Sequence, residues 1–247
     1  MSKEEMIRIV KEYLSERLGC SVDDFDRDEM IFVKKDTKGY PFIEVLTMGK
    51  AVIVSTSIEL YKKTSELLRG KNRDEMFECP LVYGQSIYYL PDLEFKRENS
   101  LNNKYQYKLF QGDEIKKLKN IKGFENSLVF DGCGITSTCI VLCAFKEKKI
   151  IGIASASHEN EMMWEIGVDI QNEFRHEGLA TILVSNLAKI ILEKNIVPFY
   201  CSSTTNIASQ RVAQNSGFSP WWVSTYRTVL DGSSSYNEML KHLFDIL

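Results

Sequence analysis

Apolar residues recur at two different periods along this chain, and each change of period marks a new element. Met6, Ile7, Val10, Leu14 and Leu18 repeat at helical spacing behind a Ser2-x-x-Glu5 capping box, with Gly19 as a stop. Strand-like runs follow at Phe42–Met48 and Ala51–Ser55, joined by Gly49 and Lys50 as a hairpin. Ser57 is placed to cap a second helix running to Arg69, which Gly70 ends. Gln85–Leu90 is a further strand, and the polar, non-periodic stretch Lys96–Lys104 reads as a linker.

Beyond the linker the rhythm is clearer. Tyr105–Phe110 reads as a strand, and a short helix begins over Gly112–Lys119. Thr138–Phe145 and Ile150–Ser157 are strands around the charged turn Lys146–Lys149, and Met163–Ile170 is the next strand. From Gly178 onward Leu179, Ile182, Leu183, Leu187, Ile190 and Ile191 form one stripe, a helix of about four to five turns. Val197–Ser202 is a buried strand, Asn206–Ser216 a helix and Trp221–Leu230 a last strand. Ser235-x-x-Glu238 then caps a helix carrying Met239, Leu240 and Leu243. No internal repeat is present. The expected class is α/β (α+β). Two domains are expected, over residues 1–100 and 104–247.

The joint between Trp164–Ile170 and the long helix carries the most chemistry. A glycine-containing loop there leaves backbone N–H groups unpaired at the positive end of a helix dipole, a place to hold phosphates. Arg175-x-x-Gly178-x-Ala180 resembles the pyrophosphate loop (R/Q-x-x-G-x-G/A) of the GNAT superfamily of N-acetyltransferases. Asn206-x-x-Ser209-x-x-x-Ala213-x-x-x-Gly217-Phe218 is similar to a second signature of that superfamily. The order of elements over residues 104–230 is also that of a GNAT domain. The length and the N-x-A-S-x-R-V-A series resemble a bacterial two-domain GNAT group that includes antibiotic self-resistance enzymes.

This resemblance implies a mixed, mostly antiparallel sheet, preceded by an N-terminal α/β domain. In that sheet Trp164–Ile170 and Val197–Ser202 run parallel and splay apart to admit the pantetheine arm of acetyl-CoA. It implies direct transfer of the acetyl group to an amine acceptor, with acetyl-CoA as co-substrate and no metal. Arg175, His176, Glu177, Gly178, Leu179, Ala180 and Thr181 would wrap the pyrophosphate, Gly178 because a side chain there blocks close approach of the backbone. Asn206 and Ser209 would meet the pantetheine, although Asn206 equally serves as a helix cap. The N–H of Val168 or Ile170 would polarise the thioester carbonyl.

An alkylammonium must lose a proton before it attacks, so a base is needed. Glu165, ten residues before Arg175 on the strand lining the cleft, is the first candidate. Asp169, on the same face by alternation, is the second. A solvated strand residue explains Glu165 as well. His158 and Glu161 lie in the preceding turn. One departure from the family stands out: a tyrosine that protonates the leaving thiolate in many members is Ala213 here. Ser209, Tyr226 or water would then supply that proton. Of Trp221 and Trp222 at least one is expected to face the core, with Tyr226 nearby as a further aromatic.

Composition narrows the alternatives. A net charge of −3 gives no electrostatic reason to expect nucleic acid or an anionic membrane as partner. No apolar run approaches the roughly 20 residues that span a bilayer, and the polar Met1–Glu5 start lacks the features of a secretory signal. A cytoplasmic location is the default expectation. Cysteines 20, 79, 133, 139, 143 and 201 form no C-x-x-C pair and are expected as buried free thiols, with Cys139 and Cys143 on one strand face and Cys201 the most reachable. Two other functions fit the same loop: a non-catalytic acyl-CoA-binding or sensor protein, and a plain phosphate or nucleotide module. Neither the acceptor nor the oligomeric state is written in the sequence.

Overall fold

The computed structural model describes residues 1–36, 39–94, 99–229 and 242. It resolves into two compact units, each assembled from separated stretches of chain. The first holds residues 1–10, 89–202 and 206–220; the second holds 11–88, 203–205 and the described residues from 221 on. The sequence boundary at 100/104 falls inside the first unit. Both units are mixed α/β with mainly antiparallel pairing.

In the second unit, β1 (Met30–Lys35) pairs parallel with β3 (Ala51–Ser57), which pairs antiparallel with β2 (Phe42–Met48). Gly49, at φ 59°, turns the β2–β3 hairpin in the left-handed conformation that glycine adopts freely. Helices α2 (Ile58–Leu68) and α3 (Arg73–Phe77) close a core of Ile43, Val45, Val54, Leu60, Leu68 and Met76. Ser57 stands at the α2 N-cap without a side-chain cap bond. Within this core Glu44 is fully buried, holding Arg17 at 2.6 Å and Ser224 at 2.9 Å. Sequence reading overlooked β1, whose half-exposed residues show no alternation, and α3, although Asn72 and Glu75 form a capping box.

Helix α1 (Lys3–Leu18) forms as expected, with Ser2 Oγ accepting from Glu5 N and Met6, Val10, Leu14 and Leu18 buried. In the first unit, β5 (Gln106–Gln111), β6 (Thr138–Lys146), β7 (Lys149–His158) and β8 (Met163–Ile170) pair antiparallel in succession. β9 (Val197–Ser203) then lies parallel to β8. Helix α4 (Leu179–Leu192) crosses between them and buries Leu179, Leu183, Val184, Leu187 and Ile191 against β7 and β8. Helix α5 (Ile207–Asn215) follows β9 and packs on α4. The strands β4 (Gln85–Pro91) and β10 (Phe218–Thr225) each contribute residues to both units.

The last strand differs from its expected span. β10 starts at Phe218, directly after the helix-ending Gly217, and pairing resumes only at β11 (Thr228–Val229) after Tyr226 and Arg227. Trp222 is the core-facing tryptophan, 2 % exposed and stacked on Tyr88, while Trp221 is half-buried. Met239, Leu240 and Leu243 of the expected terminal helix lie outside the described residues, as do residues 96–98 of the expected linker.

The cysteines are free, but Cys133 is exposed and Cys20, Cys139 and Cys201 are half-buried. Cys139 does not share its setting with Cys143. The β6–β7 register slips between Thr138 and Ile140, so alternation is interrupted at Cys139. Burial pushes the Cys143 thiol up to about 12 and that of Cys139 to about 11.

Candidate active site

The site begins where β8 and β9 part. Their register runs Met163–Val197, Trp164–Pro198, Glu165–Phe199 and Ile166–Tyr200, and ends there. Gly167–Ile170 therefore continue along β7 without a partner from β9. Backbone parity fixes which groups face that gap. Gln171 N–H donates to Ile151 O at 2.9 Å, so Gln171 and Ile151, directly opposite, form a hydrogen-bonded antiparallel pair. Counting back by twos, Asp169, Gly167 and Glu165 turn their backbone groups to β7. Those of Val168 and Ile170 turn to the β9 side, as does Met162 O, which accepts from Val197 N at 2.9 Å.

At the end of β8 the chain makes one 3₁₀ turn over Asn172–Phe174 and then reverses through two left-handed residues, His176 (φ 65°) and Gly178 (φ 76°). The Arg175 side chain is tied back to the strand, its Nε donating to Ile170 O at 3.1 Å. Gly178 is the α4 N-cap, and no side chain caps the helix. A Cβ built on Gly178 would meet nothing within 4 Å. The first-turn N–H groups of α4 thus stand without a capping side chain at the positive end of the helix. Leu179 is buried, anchoring the turn, while Ala180 and Thr181 are half-buried.

Glu177, in the same loop, is held by two partners. It accepts from Lys104 Nζ and from Tyr105 OH (2.6 Å), and these two hydrogen bonds hold its carboxyl below the usual range. Neither Lys104 nor Tyr105 carries a sequence signal; the contact spans 73 residues of chain.

Helix α5 starts differently. Asn206 Oδ1 accepts from Ser209 N at 3.1 Å, so Asn206 is a working cap. The Ser209 hydroxyl lies 2.9 Å from that of Tyr200. Tyr200 is the residue that sequence reading missed. It stands at the last β8–β9 register pair, 4 % exposed, and burial raises its phenol above the ordinary value of 10. Ser209 and Ala213 are one turn apart on α5, so the Tyr200 hydroxyl reaches the helix face on which the family tyrosine would stand.

Of the base candidates, Glu165 is half-buried on β8 opposite Ser157. Asp169 is otherwise occupied: its oxygens accept from Asn126 N, Asn126 Nδ2 and Ser127 N at 2.7–2.9 Å, with Ser127 Oγ at 3.0 Å. His158 and Glu161 are exposed, and His158 Nδ1 lies 3.1 Å from Ser137 O. Tyr226 belongs to the second unit, edge-on to Tyr83. Among the described residues no group of three or more His, Cys, Asp or Glu is placed to hold a metal ion, and no helix is long and apolar enough to cross a membrane.

Solved structures that resemble the chain include a GNAT-family acetyltransferase from Novosphingobium aromaticivorans DSM 12444 (TM-score 0.45, 12 % identity, 57 % of this chain and 63 % of that one). A GNAT-family acetyltransferase from Colwellia psychrerythraea gives TM-score 0.48 and 10 % identity over 75 % of this chain and 64 % of that one. A GCN5-related N-acetyltransferase-like protein from Streptococcus suis 89/1591 gives TM-score 0.46 and 12 % identity over 90 % and 98 %. The chain thus spans a little under two thirds of the first two, 63 % and 64 %. No curated protein matches it. A family model described as GNAT acetyltransferase matches residues 84–227. With more than half of its length so matched, the chain belongs to the GNAT acetyltransferase family.

Proposed function

We propose that the protein transfers the acetyl group of acetyl-CoA directly to an amine. The observation that carries this reading is the parting of β8 and β9 after Ile166 and Tyr200, with the Val168 and Ile170 N–H groups turned into the gap. The uncapped, sterically open start of α4 lies just beyond the end of β8 and suits a pyrophosphate. The residues from Arg175 to Thr181 would hold it, mostly through backbone N–H groups, and Asn206 would meet the pantetheine.

Acetyl-CoA supplies an activated acetyl group as a thioester. Glu165 takes the proton that the attacking amine sheds. The N–H of Val168 or Ile170 stabilises negative charge building on the carbonyl oxygen; one such donor is worth about 2.7–4 kcal/mol in comparable sites. Tyr200, with its hydroxyl shared with Ser209, stands in for the family tyrosine that Ala213 replaces and holds the proton for the departing thiolate.

Calorimetry with coenzyme A and with a nucleoside triphosphate, followed by a thiol-release screen over primary amines, tests this. Coenzyme A bound in preference to nucleotide, together with release for at least one amine, is the expected result. Binding without release from any amine would favour an acyl-CoA sensor, and nucleotide preference a plain phosphate module.

A further inference from the structure

Residues 119–137 carry no helix or strand, yet their centre is pinned to β8. Phe124 and Leu128 are buried in a cluster with Phe110, Val141 and Ile153. Between them the backbone lies flat on the sheet. A Cβ at Gly167 would collide with Asn126 O and stand 3.2 Å from Ser127 Cα, so only glycine permits this approach. Ser155, opposite Gly167 on β7, donates to Ser127 O. Asp169 completes the seat by accepting from both backbone N–H groups at the crest and from the Asn126 carboxamide.

The seat has a defined side. Gly152 and Ile170 face α4, since a Cβ at Gly152 would meet Ile170, Leu179 and Leu183. By alternation Glu165, Gly167 and Asp169 point to the opposite face, where residues 124–128 lie. A pantetheine that enters the gap from the α4 side would present its thioester towards this second face.

We propose that Asp169 is a positioning residue that fixes residues 124–128 as a wall of the amine-acceptor site, with the exposed Asn126 at its crest. This rests on the acetyl-transfer reading. It gives Asp169 a task other than proton transfer, and it explains why Gly167 and Ser155, both small, stand opposite each other on β7 and β8.

The test is Asp169→Ala in the full chain, with Asn126→Ala as a variant at an exposed position that leaves the carboxylate in place. Alanine is chosen because Asn126 N, Ser127 N and Ser127 Oγ all donate to the one oxygen Oδ2, which the carboxamide oxygen of an asparagine would replace. Hydrogen exchange of the free protein is read at Asn126, with Leu128 N–H, which bonds Phe124 O at 2.8 Å, as internal control; Ser127 N–H also donates to Phe124 O, at 3.2 Å, and responds less. Kinetics use the amine giving the greatest thiol release in the screen above, and coenzyme A affinity is measured by calorimetry. Asp169→Ala is expected to speed exchange at Asn126 at least tenfold and to raise the acceptor KM about tenfold, with kcat and coenzyme A affinity within about twofold of wild type. Asn126→Ala is expected to raise the acceptor KM about threefold. Unchanged exchange in Asp169→Ala overturns the clamp, whatever the kinetics. Faster exchange with a fall in kcat and an unchanged KM overturns the positioning role in favour of proton transfer. An unfolded Asp169→Ala leaves Asn126→Ala to decide, and an unchanged KM there overturns the proposal. Absence of turnover with every amine would fail the acetyl-transfer reading itself, and this inference with it, while the exchange result still reports on the clamp.

Discussion

Two helices leave the two strands of the gap, and they begin in opposite ways. After β9, α5 starts with Asn206, whose side chain satisfies the Ser209 N–H, and its first turn engages Tyr200. After β8, α4 starts with Gly178 in a left-handed conformation and with no capping side chain. Glycine at a helix N-cap costs only about a few tenths of a kcal/mol relative to Ser, Thr, Asp or Asn, so the fold loses little by leaving these N–H groups without a side-chain acceptor. A chain that caps one helix and leaves its neighbour open keeps those N–H groups for another acceptor, and positive dipole ends favour anions. In the proposed acetyl transfer the open start would take the phosphates, and the capped one would meet the neutral amides of the pantetheine.

The comparison breaks most sharply at Gly178. Gly178→Val adds branches where nothing now stands and forces a β-branched residue to φ 76°. Loss of even two charge-assisted hydrogen bonds, about 1.5–3 kcal/mol each, lowers coenzyme A affinity roughly a hundredfold or more. Lys189→Ala, on the exposed side of α4, should leave affinity unchanged. Calorimetry on both, with circular dichroism to confirm folding, decides it; equal affinity in folded Gly178→Val protein removes the phosphate-site assignment. Next in size is Glu165→Gln. Turnover should drop about a hundredfold, in line with the 10²–10⁴ that general bases supply, with coenzyme A affinity retained. Intact turnover with an unchanged rate–pH profile would make Glu165 a strand residue without a catalytic role.

What the sequence made legible follows from where information is local. The α4 start was readable because glycine, the preceding arginine and the apolar stripe are contiguous, and helix periodicity over fourteen residues is a strong pattern. The parity of Val168 and Ile170 was likewise implicit in a strand of known span. Tyr200 was missed because a tyrosine in an apolar strand reads as core until its hydroxyl is seen beside Ser209. Asp169 was given a chemical task because alternation states which face it takes but not what lies on that face. The segment over it, Phe124–Leu128, has no period to betray it. β1 escaped for a related reason: half-buried on an edge, it lacks the contrast between inward and outward positions that marks a strand.

Tyr200→Phe sharpens the α5 side with a smaller effect. Turnover is expected to fall about tenfold, below the usual range for a sole acid–base group, because Ser209 or water still offers a proton. A second readout is independent of catalysis. Burial raises the Tyr200 phenol above 10, so the folded protein holds this proton more tightly than the unfolded chain. The stability this contributes is complete below about pH 10 and is lost as pH rises through the raised value. The melting temperature of wild type should accordingly fall more steeply than that of Tyr200→Phe between about pH 9.5 and 11. Parallel melting curves would mean that the phenol is not held protonated by the fold.

The smallest effect separates the two readings of Asn206. Asn206→Ala removes the α5 cap and should cost about 1 kcal/mol, or roughly 2–4 °C in melting temperature for a chain of this size. Asn206→Asp keeps a cap of equal quality, and its charge is favourable at a helix N-terminus, so stability should hold. The two variants share one loss: neither carries the carboxamide N–H₂ that can donate to a pantetheine carbonyl. If Asn206 contacts the coenzyme, both variants bind it less tightly, by about three- to tenfold for one neutral hydrogen bond. If Asn206 is a cap alone, Asn206→Ala melts earlier while Asn206→Asp matches wild type in both stability and affinity. That outcome would leave α5 a purely structural partner to α4, and the contrast between the two helix starts would then concern the phosphates alone.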